Sequence, residues 1–165
     1  MAKASGKIVI RRLASLDEVN ANRAIVENFF AESRFASYEL SWARVENLIK
    51  AAFAAPDKMA IFIAEHMGKI LGFVMCGISG FIGVVGLKIC QVQFLHIIPE
   101  HRKSFAGGKA VIGLLKGVQQ WAEKQGAVET SLSLEMDHAT PAMRRIMARM
   151  GYQVENVGFF CEVVK

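Results

Sequence analysis

The sequence has few of the residues that build covalent or metal-bound scaffolds. Its three cysteines, Cys76, Cys90 and Cys161, are widely spaced, with no Cys-x-x-Cys pair, and its four histidines form no His-Glu-x-x-His pattern. We therefore expect no disulfide framework and no metal site. Because no signal peptide is recognisable before these cysteines, we expect reduced thiols in a cytoplasmic protein.

Long runs of charge are also lacking. The chain has 20 Lys and Arg and 15 Asp and Glu, a formal net charge of +5, but its cations are scattered. One reading of this charge is a small basic nucleic-acid-binding protein, which the scarcity of aromatic residues among the basic ones disfavours. A compact anionic ligand fits the charge better, so we expect no stable nucleic-acid partner.

One uncharged segment, Ile70–Leu87, reaches about the minimum length of a membrane-spanning helix. Glycine is a poor helix former, and Phe73–Met75 is typical of a strand. The glycines of the segment occupy positions 72, 77, 80, 83 and 86. We therefore expect a strand followed by a Gly-rich loop, and no membrane span.

What is present suits one α/β domain. The chain has 165 residues, of which 53% are hydrophobic, enough to bury a core around a sheet. Strand and helix patterns follow one another in the order β-α-α-β-β-β-α-β-α-β-β, with no linker or repeat. We expect a single domain over residues 1–165, ordered from about residue 7.

Local signals place the elements of the first half. Ser15 and Glu18 form a capping box, which predicts a helix from there toward Phe29 and Phe30. A second helix is expected from Ser41. Further along, residues 60–65 and 69–76 are strand-like runs around a short Gly-containing turn, which predicts an antiparallel hairpin. Residues 87–98 read as the next strand.

In the second half, residues 108–124 predict an amphipathic helix. Gly113 and Gly117 lie one turn apart and would let its backbone approach the sheet closely. Residues 129–135 alternate as a half-buried strand. Thr140 and Pro141 begin a last helix that ends at Gly151, and strands are expected at 152–154 and 159–164.

The segment Pro99–Lys109 connects a strand to a helix and is both basic and Gly-rich. Such a connection offers backbone N–H groups and a helix dipole to an anion. Its glycine spacing matches neither a nucleoside triphosphate loop nor a dinucleotide fingerprint. An ordinary turn with solvated cations is the alternative.

This region resembles the GNAT superfamily of acyl-CoA-dependent acyltransferases. The family has a strand ending near Pro, a loop of the form Gln/Arg-x-x-Gly-x-Gly/Ala, and a helix; the matching segments here are 94–102 and 106–110. Read over residues 103–108, the loop has Lys103 in the Gln/Arg position and Ala106 in the first Gly position. Gly72 and the sequence Met-Gly-Tyr at 150–152 resemble further family positions.

The resemblance implies a GNAT-like fold, with a mixed, mostly antiparallel sheet flanked by helices. It implies an N-acyltransferase that moves an acetyl or other short acyl group from acyl-CoA to a primary amine of a small molecule or peptide. The cofactor, acetyl-CoA or another acyl-CoA, would contact these residues: Ile97, Ile98, Arg102, Lys103, Ser104, Ala106, Gly107, Gly108 and Lys109.

The catalytic candidates are His96 and Asp137. His96 titrates near neutral pH and lies on the strand that would meet the thioester, although a hydrogen-bonded core histidine is the alternative. Asp137 follows a strand end. The position of the family's usual Tyr acid is Met147, which cannot donate a proton. A catalytically weak or inactive acyl-CoA-binding module is therefore a second functional hypothesis.

The Gly-rich segment from Gly77 to Gly86 is apolar and should be covered. We interpret it either as a lid over the acceptor side of the site or as a surface that forms a homodimer.

Overall fold

A computed structural model of the chain describes residues 6–80, 83–133 and 140–153. They fall into two compact units, which are described separately: the first ends at Ser133, and the second contains residues 140–153. The single domain over residues 1–165 stays a prediction.

The first unit is built on a five-stranded sheet in the order β1-β2-β3-β4-β5. All neighbours are antiparallel except β4 and β5, which are parallel, so the predicted mixed and mostly antiparallel sheet is confirmed. The predicted hairpin of β2 and β3 is closed by Met67 and Gly68, with φ of 52° and 74°. The strands are β1 Val9–Arg12, β2 Met59–His66, β3 Lys69–Gly80, β4 Lys88–Ile97 and β5 Glu129–Leu132.

Three helices precede β2, where two were predicted: α1 Leu16–Ala21, α2 Arg23–Ala31 and α3 Trp42–Ala54. The cap at Ser15 is confirmed, since its hydroxyl accepts the Glu18 N–H at 3.2 Å. The helix predicted to continue to Phe29 and Phe30 is instead interrupted at Asn22. Its side-chain amide donates to the Glu18 carbonyl at 2.8 Å, the competition with helical hydrogen bonding that is typical of Asn.

Helix α4, Phe105–Lys124, packs on one face of the sheet. A Cβ atom on Gly113 would lie 2.7 Å from Cγ1 of Ile10, so the close approach predicted for this helix is confirmed. The helix begins at Phe105, three residues before the predicted Gly108. The cause is Ser104, whose hydroxyl caps the Gly107 N–H at 3.0 Å.

Helices α1 to α3 lie on the opposite face. The side chain of Phe62 lies beside Gly117 of α4, whereas the neighbouring Ile63 packs with Ile49 of α3. Successive residues of a strand point to opposite sides, so the two helical layers enclose the sheet.

Two cysteines lie inside this sheet as free thiols. Cys76 in β3 and Cys90 in β4 are both fully buried. Hydrogen bonding with the Cys90 thiol and burial raise the pKa of Cys76. Reduced thiols were predicted at both positions; the third, Cys161, lies outside the described residues.

The Gly-rich segment begins as strand. Residues Gly77 to Gly80 belong to β3 and pair with residues 88–91 of β4, so the described connection is a short tip around Val84 and Val85, both exposed. Phe81 and Ile82, also assigned to this loop, lie outside the described residues. No helix in the described parts of the chain has the length and apolar character to cross a membrane.

The second unit contains helix α5, Pro141–Arg149. Thr140 Oγ1 accepts the Met143 N–H at 3.2 Å, and Gly151 follows the helix with a φ of 83°. Both predicted ends of this helix are therefore confirmed. The strand predicted at 159–164, and Val154 of the preceding one, lie outside the described residues.

Candidate functional site

Strand β4 changes partner along its length. A bulge at Gln93 interrupts its register with β3, where Val92 pairs with Cys76 and Phe94 with Met75. On its other side, the pairing described with β5 ends at Val92 and Leu132. Residues 93–97 extend beyond the described part of β5, and among the described residues nothing pairs with them on this side, which is here called the open edge of β4.

The direction in which each peptide group of β4 points follows from the alternation of hydrogen bonds in an antiparallel ladder. Ile98 N–H donates to the Leu71 carbonyl at 2.9 Å, so Ile98 faces β3. Its alternate neighbours, Leu95 and Ile97, present their N–H and C=O groups to the open edge. The Ile98 N–H is therefore engaged by β3. The cofactor contacts of Ile97 and Ile98 stay predictions, and Leu95 is a further residue whose peptide groups lie on the open edge.

Gly72 fixes the end of β4 against β3. A Cβ atom at Gly72 would lie only 2.2 Å from the His96 carbonyl oxygen and 2.9 Å from the Ile97 Cα. Any side chain would push β4 away, so the direction in which the chain leaves the sheet depends on this glycine.

The connection from β4 to α4 is a turn of 3₁₀ helix at Pro99–His101, followed by the N-cap Ser104. The N–H groups of Phe105 and Ala106, at the first two helical positions, have no acceptor within the helix. Together with the helix dipole they form an anion-binding geometry. Residues Ala106 to Lys109 were predicted as part of a loop. They belong instead to the beginning of α4, which provides this anion-binding geometry.

The two glycines of this turn differ in what surrounds them. A Cβ on Gly107 would lie 2.0 Å from the His101 carbonyl oxygen, whereas a Cβ on Gly108 meets no atom within 4 Å. Packing therefore requires Gly107.

Phe105 is a large aromatic residue at the mouth of this anion site, and sequence reasoning did not single it out. Its side chain is 80% exposed. Lys109 lies one turn further along α4, with its Nζ 4.4 Å from the centre of the Phe105 ring. Lys103 is exposed in the preceding turn. The predicted cations Lys103 and Lys109 thus flank the start of the helix.

The guanidinium of Arg102 lies against β4 and α2. Its Nε donates to the Ile97 carbonyl at 2.7 Å, and its Nη2 forms an ion pair with Glu32, the C-cap of α2. The same nitrogen lies 3.4 Å from Nδ1 of His96. The described contacts of the guanidinium are therefore with β4 and α2 and not with the first turn of α4.

His96 lies beneath this ion pair and is only 4% exposed. Its ring packs edge-on against Phe29 of α2, with centroids 5.5 Å apart, and its Nδ1 lies 3.7 Å from the Glu32 carboxylate. Arg102 and Glu32 thus both lie beside Nδ1, and the tautomer of the ring determines which of the two it engages.

Glu32 and Phe29 were missed because no local pattern marks them. Glu32 is 70 positions from Arg102 in the chain, and only the fold brings them together. The second catalytic candidate, Asp137, lies outside the described residues. Met147, in the position of the expected Tyr acid, lies in α5, where its carbonyl accepts the Tyr152 N–H at 3.0 Å.

Comparisons with known proteins agree on one family. The family model described as Acetyltransferase (GNAT) family matches residues 23–152. Glucosamine-6-phosphate N-acetyltransferase from Arabidopsis thaliana is similar in structure, with a TM-score of 0.68 at 11% identity over 94% of this chain and 98% of that one. No curated protein sequence matches the chain significantly.

Two similar structures are aminoglycoside-related. AAC(6')-Iy in complex with the bisubstrate analogue CoA-S-monomethyl-acetylneamine has a TM-score of 0.66 at 16% identity, over 96% of this chain and 99% of that one. An aminoglycoside acetyltransferase from an uncultured soil metagenomic sample has a TM-score of 0.69 at 14% identity, over the same shares. At these identities the likeness establishes the fold alone.

Proposed function

This chain belongs to the acetyltransferase (GNAT) family, and on that premise we propose that it transfers an acetyl or other short acyl group from acyl-CoA to a primary amine. The observation that carries the proposal is the uncovered first turn of α4, placed directly after the open edge of β4. The first turn of α4 offers N–H groups to the pyrophosphate of CoA. The open edge of β4 offers peptide groups to the amide-containing pantetheine arm.

The donor groups present fit an acyl-CoA. Phe105 and Ala106 have N–H groups without helical acceptors, and Lys103 and Lys109 add positive charge beside them. The N–H and C=O of Leu95 and the N–H of Ile97 can pair with the amides of pantetheine, since the Ile97 carbonyl already accepts the Arg102 Nε–H. When bound, acyl-CoA supplies an activated thioester carbonyl that an amine can attack.

The acceptor amine must lose a proton during transfer, and His96 is our candidate base. In the described arrangement the ring is buried, and Arg102 lies 3.4 Å from Nδ1. A base role for Nδ1 therefore requires Arg102 to move away from this nitrogen. Asp137 stays a second candidate. The acid that would protonate the departing thiolate is not identified, and Met147 cannot serve.

For the acceptor we propose a small molecule or peptide with a primary amine. The similar structures act on, or are named for, aminoglycosides and glucosamine-6-phosphate, which are small polar molecules. We propose a cytoplasmic location, where acyl-CoA is available, and keep a homodimer through the tip at Val84 and Val85 as a prediction.

A second function is favoured by one feature. The engaged Nδ1 of His96, with Met147 in the acid position, suits a GNAT-fold module that binds acyl-CoA without turnover. The two functions share the anion site and differ in whether product forms.

Binding is tested by thermal unfolding with CoA, acetyl-CoA and pantetheine. A ligand that binds only the folded state at about 100 times its Kd stabilises it by about 2.7 kcal/mol, so CoA and acetyl-CoA should raise Tm clearly. Pantetheine lacks the pyrophosphate and should shift Tm much less. If neither CoA nor acetyl-CoA shifts Tm at millimolar concentration, the proposal is wrong in both its forms.

Turnover is tested by following free thiol release from acetyl-CoA with a panel of amines, and by the mass of each product. An acetylated amine supports the enzyme. A Tm shift without product from any aminosugar, polyamine or peptide of the panel favours the binding module.

A further inference from the structure

A basic groove of about 620 Å³ lies on the α4 side of the sheet, between this helix and β1. It is independent of the acyl-CoA site, which occupies the other end of α4. Its walls include Arg12, Lys116, Gln120 and Lys124, and its floor includes Ile10 and Gly117.

Most of the charge in this groove is uncompensated. Arg11 is neutralised by ion pairs with Glu18 and Glu65. Arg12 donates to the carbonyl oxygens of Pro56 and Met59, which carry no net charge. Within the described residues, neither Lys116 nor Lys124 forms an ion pair. Of the four cations that line the groove, three therefore have no acidic partner among the described residues, and no described carboxylate lines it.

The groove also contains an unpaired strand edge. β1 is the terminal strand of the described sheet and pairs only with β2. Leu13 N–H donates to the Ile61 carbonyl at 2.9 Å, so Leu13 and Arg11 face β2. By alternation, the N–H and C=O groups of Ile10 and the N–H of Arg12 face outward, where they can pair with a further strand.

We propose that this groove binds an extended acidic segment of a partner protein, which adds as a strand to the outer edge of β1. The spacing of the lysines suits this ligand. Lys116 and Lys124 are eight helical residues apart, about 12 Å along α4. In a strand, side chains four residues apart are on one face and about 13 Å apart. Two acidic residues at that interval could each meet a lysine.

Other occupants fit less well. A second copy of this chain would bring Arg12, Lys116 and Lys124 against their own counterparts, and like charges oppose such pairing. A single-stranded nucleic acid needs exposed rings for stacking, whereas the aromatic rings of the groove, Phe62 and Trp121, are 8% and 6% exposed. Backbone pairing and positive charge together select an extended acidic peptide.

The test uses fluorescence anisotropy with a labelled peptide of about nine residues in which Glu alternates with Val or Thr. The probe should bind the full-length protein, more tightly at low than at physiological ionic strength. Replacing its Glu by Gln, or methylating alternate backbone nitrogens, should weaken binding at least about tenfold, because each change removes one of the two interactions.

Charge reversal on the protein locates the site. Lys116→Glu with Lys124→Glu should weaken binding at least about tenfold. Arg44→Glu with Lys50→Glu makes the same change in net charge on α3, across the sheet, and should leave binding nearly unchanged. Thermal unfolding of both double variants, with and without CoA, checks their folding independently.

Several results would overturn the proposal: no binding at millimolar protein, equal weakening by the two double variants, or equal affinity for the N-methylated probe. A single-stranded oligonucleotide or a phosphatidylserine vesicle that binds more tightly, with the same dependence on Lys116 and Lys124, would assign the groove to that ligand instead. None of these results bears on acyl transfer.

Discussion

Glu32 and Arg102 form an ion pair that joins the C-terminal end of α2 to the connection between β4 and α4. The pair covers His96, and Arg102 also holds the Ile97 carbonyl at 2.7 Å. Helix α2 is thereby tied to the segment that leads into the proposed anion site. A substitution at Glu32 should therefore alter ligand binding at the proposed anion site.

Replacing Glu32 with Gln should increase affinity for CoA about threefold, because the charge of Arg102, three residues before α4, is then no longer neutralised. The pair is about one-third exposed, so the free energy of unfolding should change by less than about 1 kcal/mol. Isothermal titration at two salt concentrations measures the effect.

The control is Glu123→Gln, which also removes one negative charge. Glu123 lies about 27 Å along α4 from Phe105, so this variant should not alter CoA affinity. Weaker CoA binding in Glu32→Gln would contradict the prediction. It would mean that the ion pair between Glu32 and Arg102 helps to form the anion site and does not reduce its positive charge.

Substitutions of the two glycines at the beginning of α4 should affect the stability of the protein and its affinity for CoA differently. Gly107→Ala should lower the free energy of unfolding by about 2 kcal/mol, because the new methyl group collides with the His101 carbonyl. Gly108→Ala should raise it by about 1 kcal/mol through helix propensity. Its Cβ tilts toward the helix N-terminus, so CoA should bind this variant more weakly despite its stability.

Urea unfolding and CoA titration of both glycine variants provide the two measurements. Unchanged CoA affinity in Gly108→Ala would place the pyrophosphate elsewhere.

If the chain turns over, His96→Gln should lower kcat about 100-fold, as for loss of a general base, while the Kd for CoA stays within about threefold. The acidic limb of the pH–rate profile should be lost with it. Steady-state kinetics across pH and CoA titration test this. Normal kinetics would leave His96 as a core residue and direct attention to Asp137.

Glu18 should make stability depend on pH. Hydrogen bonding from Arg11 lowers the pKa of this carboxyl below its ordinary 4.5, against the opposing effect of burial. A lowered folded-state pKa gives stabilisation that is present above the ordinary pKa and lost as pH falls through the lowered one.

Glu18→Gln should therefore cost about 1 kcal/mol at pH 7 and almost nothing well below pH 4, measured by urea unfolding. Glu39→Gln, at an exposed position, should cost little at either pH. A cost for Glu18→Gln that is the same at both would exclude the ionised pair with Arg11 as its origin.

The parts of the fold predicted well depend on neighbours in the sequence. The caps at Ser15 and Thr140 and the turn at Met67–Gly68 are made by residues within four positions of one another. A window of sequence contains the whole interaction in such cases. The break at Asn22 is equally local, but Asn occurs in many unbroken helices, so the residue type alone did not predict it.

The candidate site was predicted in outline and missed in detail. The strand, the basic connection and the helix were recognised together, but the start of α4 was placed at Gly108 because the Ser104 cap lacks the acidic partner of a capping box. The covering of His96 by Glu32 depends on packing between distant segments, which no periodicity encodes. The lid over the acceptor side stays a prediction; the described tip around Val84 and Val85 precedes Lys88, which lies about 16 Å along β4 from Gln93.

Gly72 also has a consequence for how the chain reaches this fold. If β3 slipped by two residues against β4, the sheet faces would be preserved, but Ile70 or Val74 would lie where the His96 carbonyl leaves room for no Cβ. A misregistered hairpin would therefore bring backbone atoms into collision, so the contact at Gly72 selects the register of β3 and β4 without help from the helices. The register in turn sets the length of β4 that projects past the hairpin, and with it the position from which the chain enters α4.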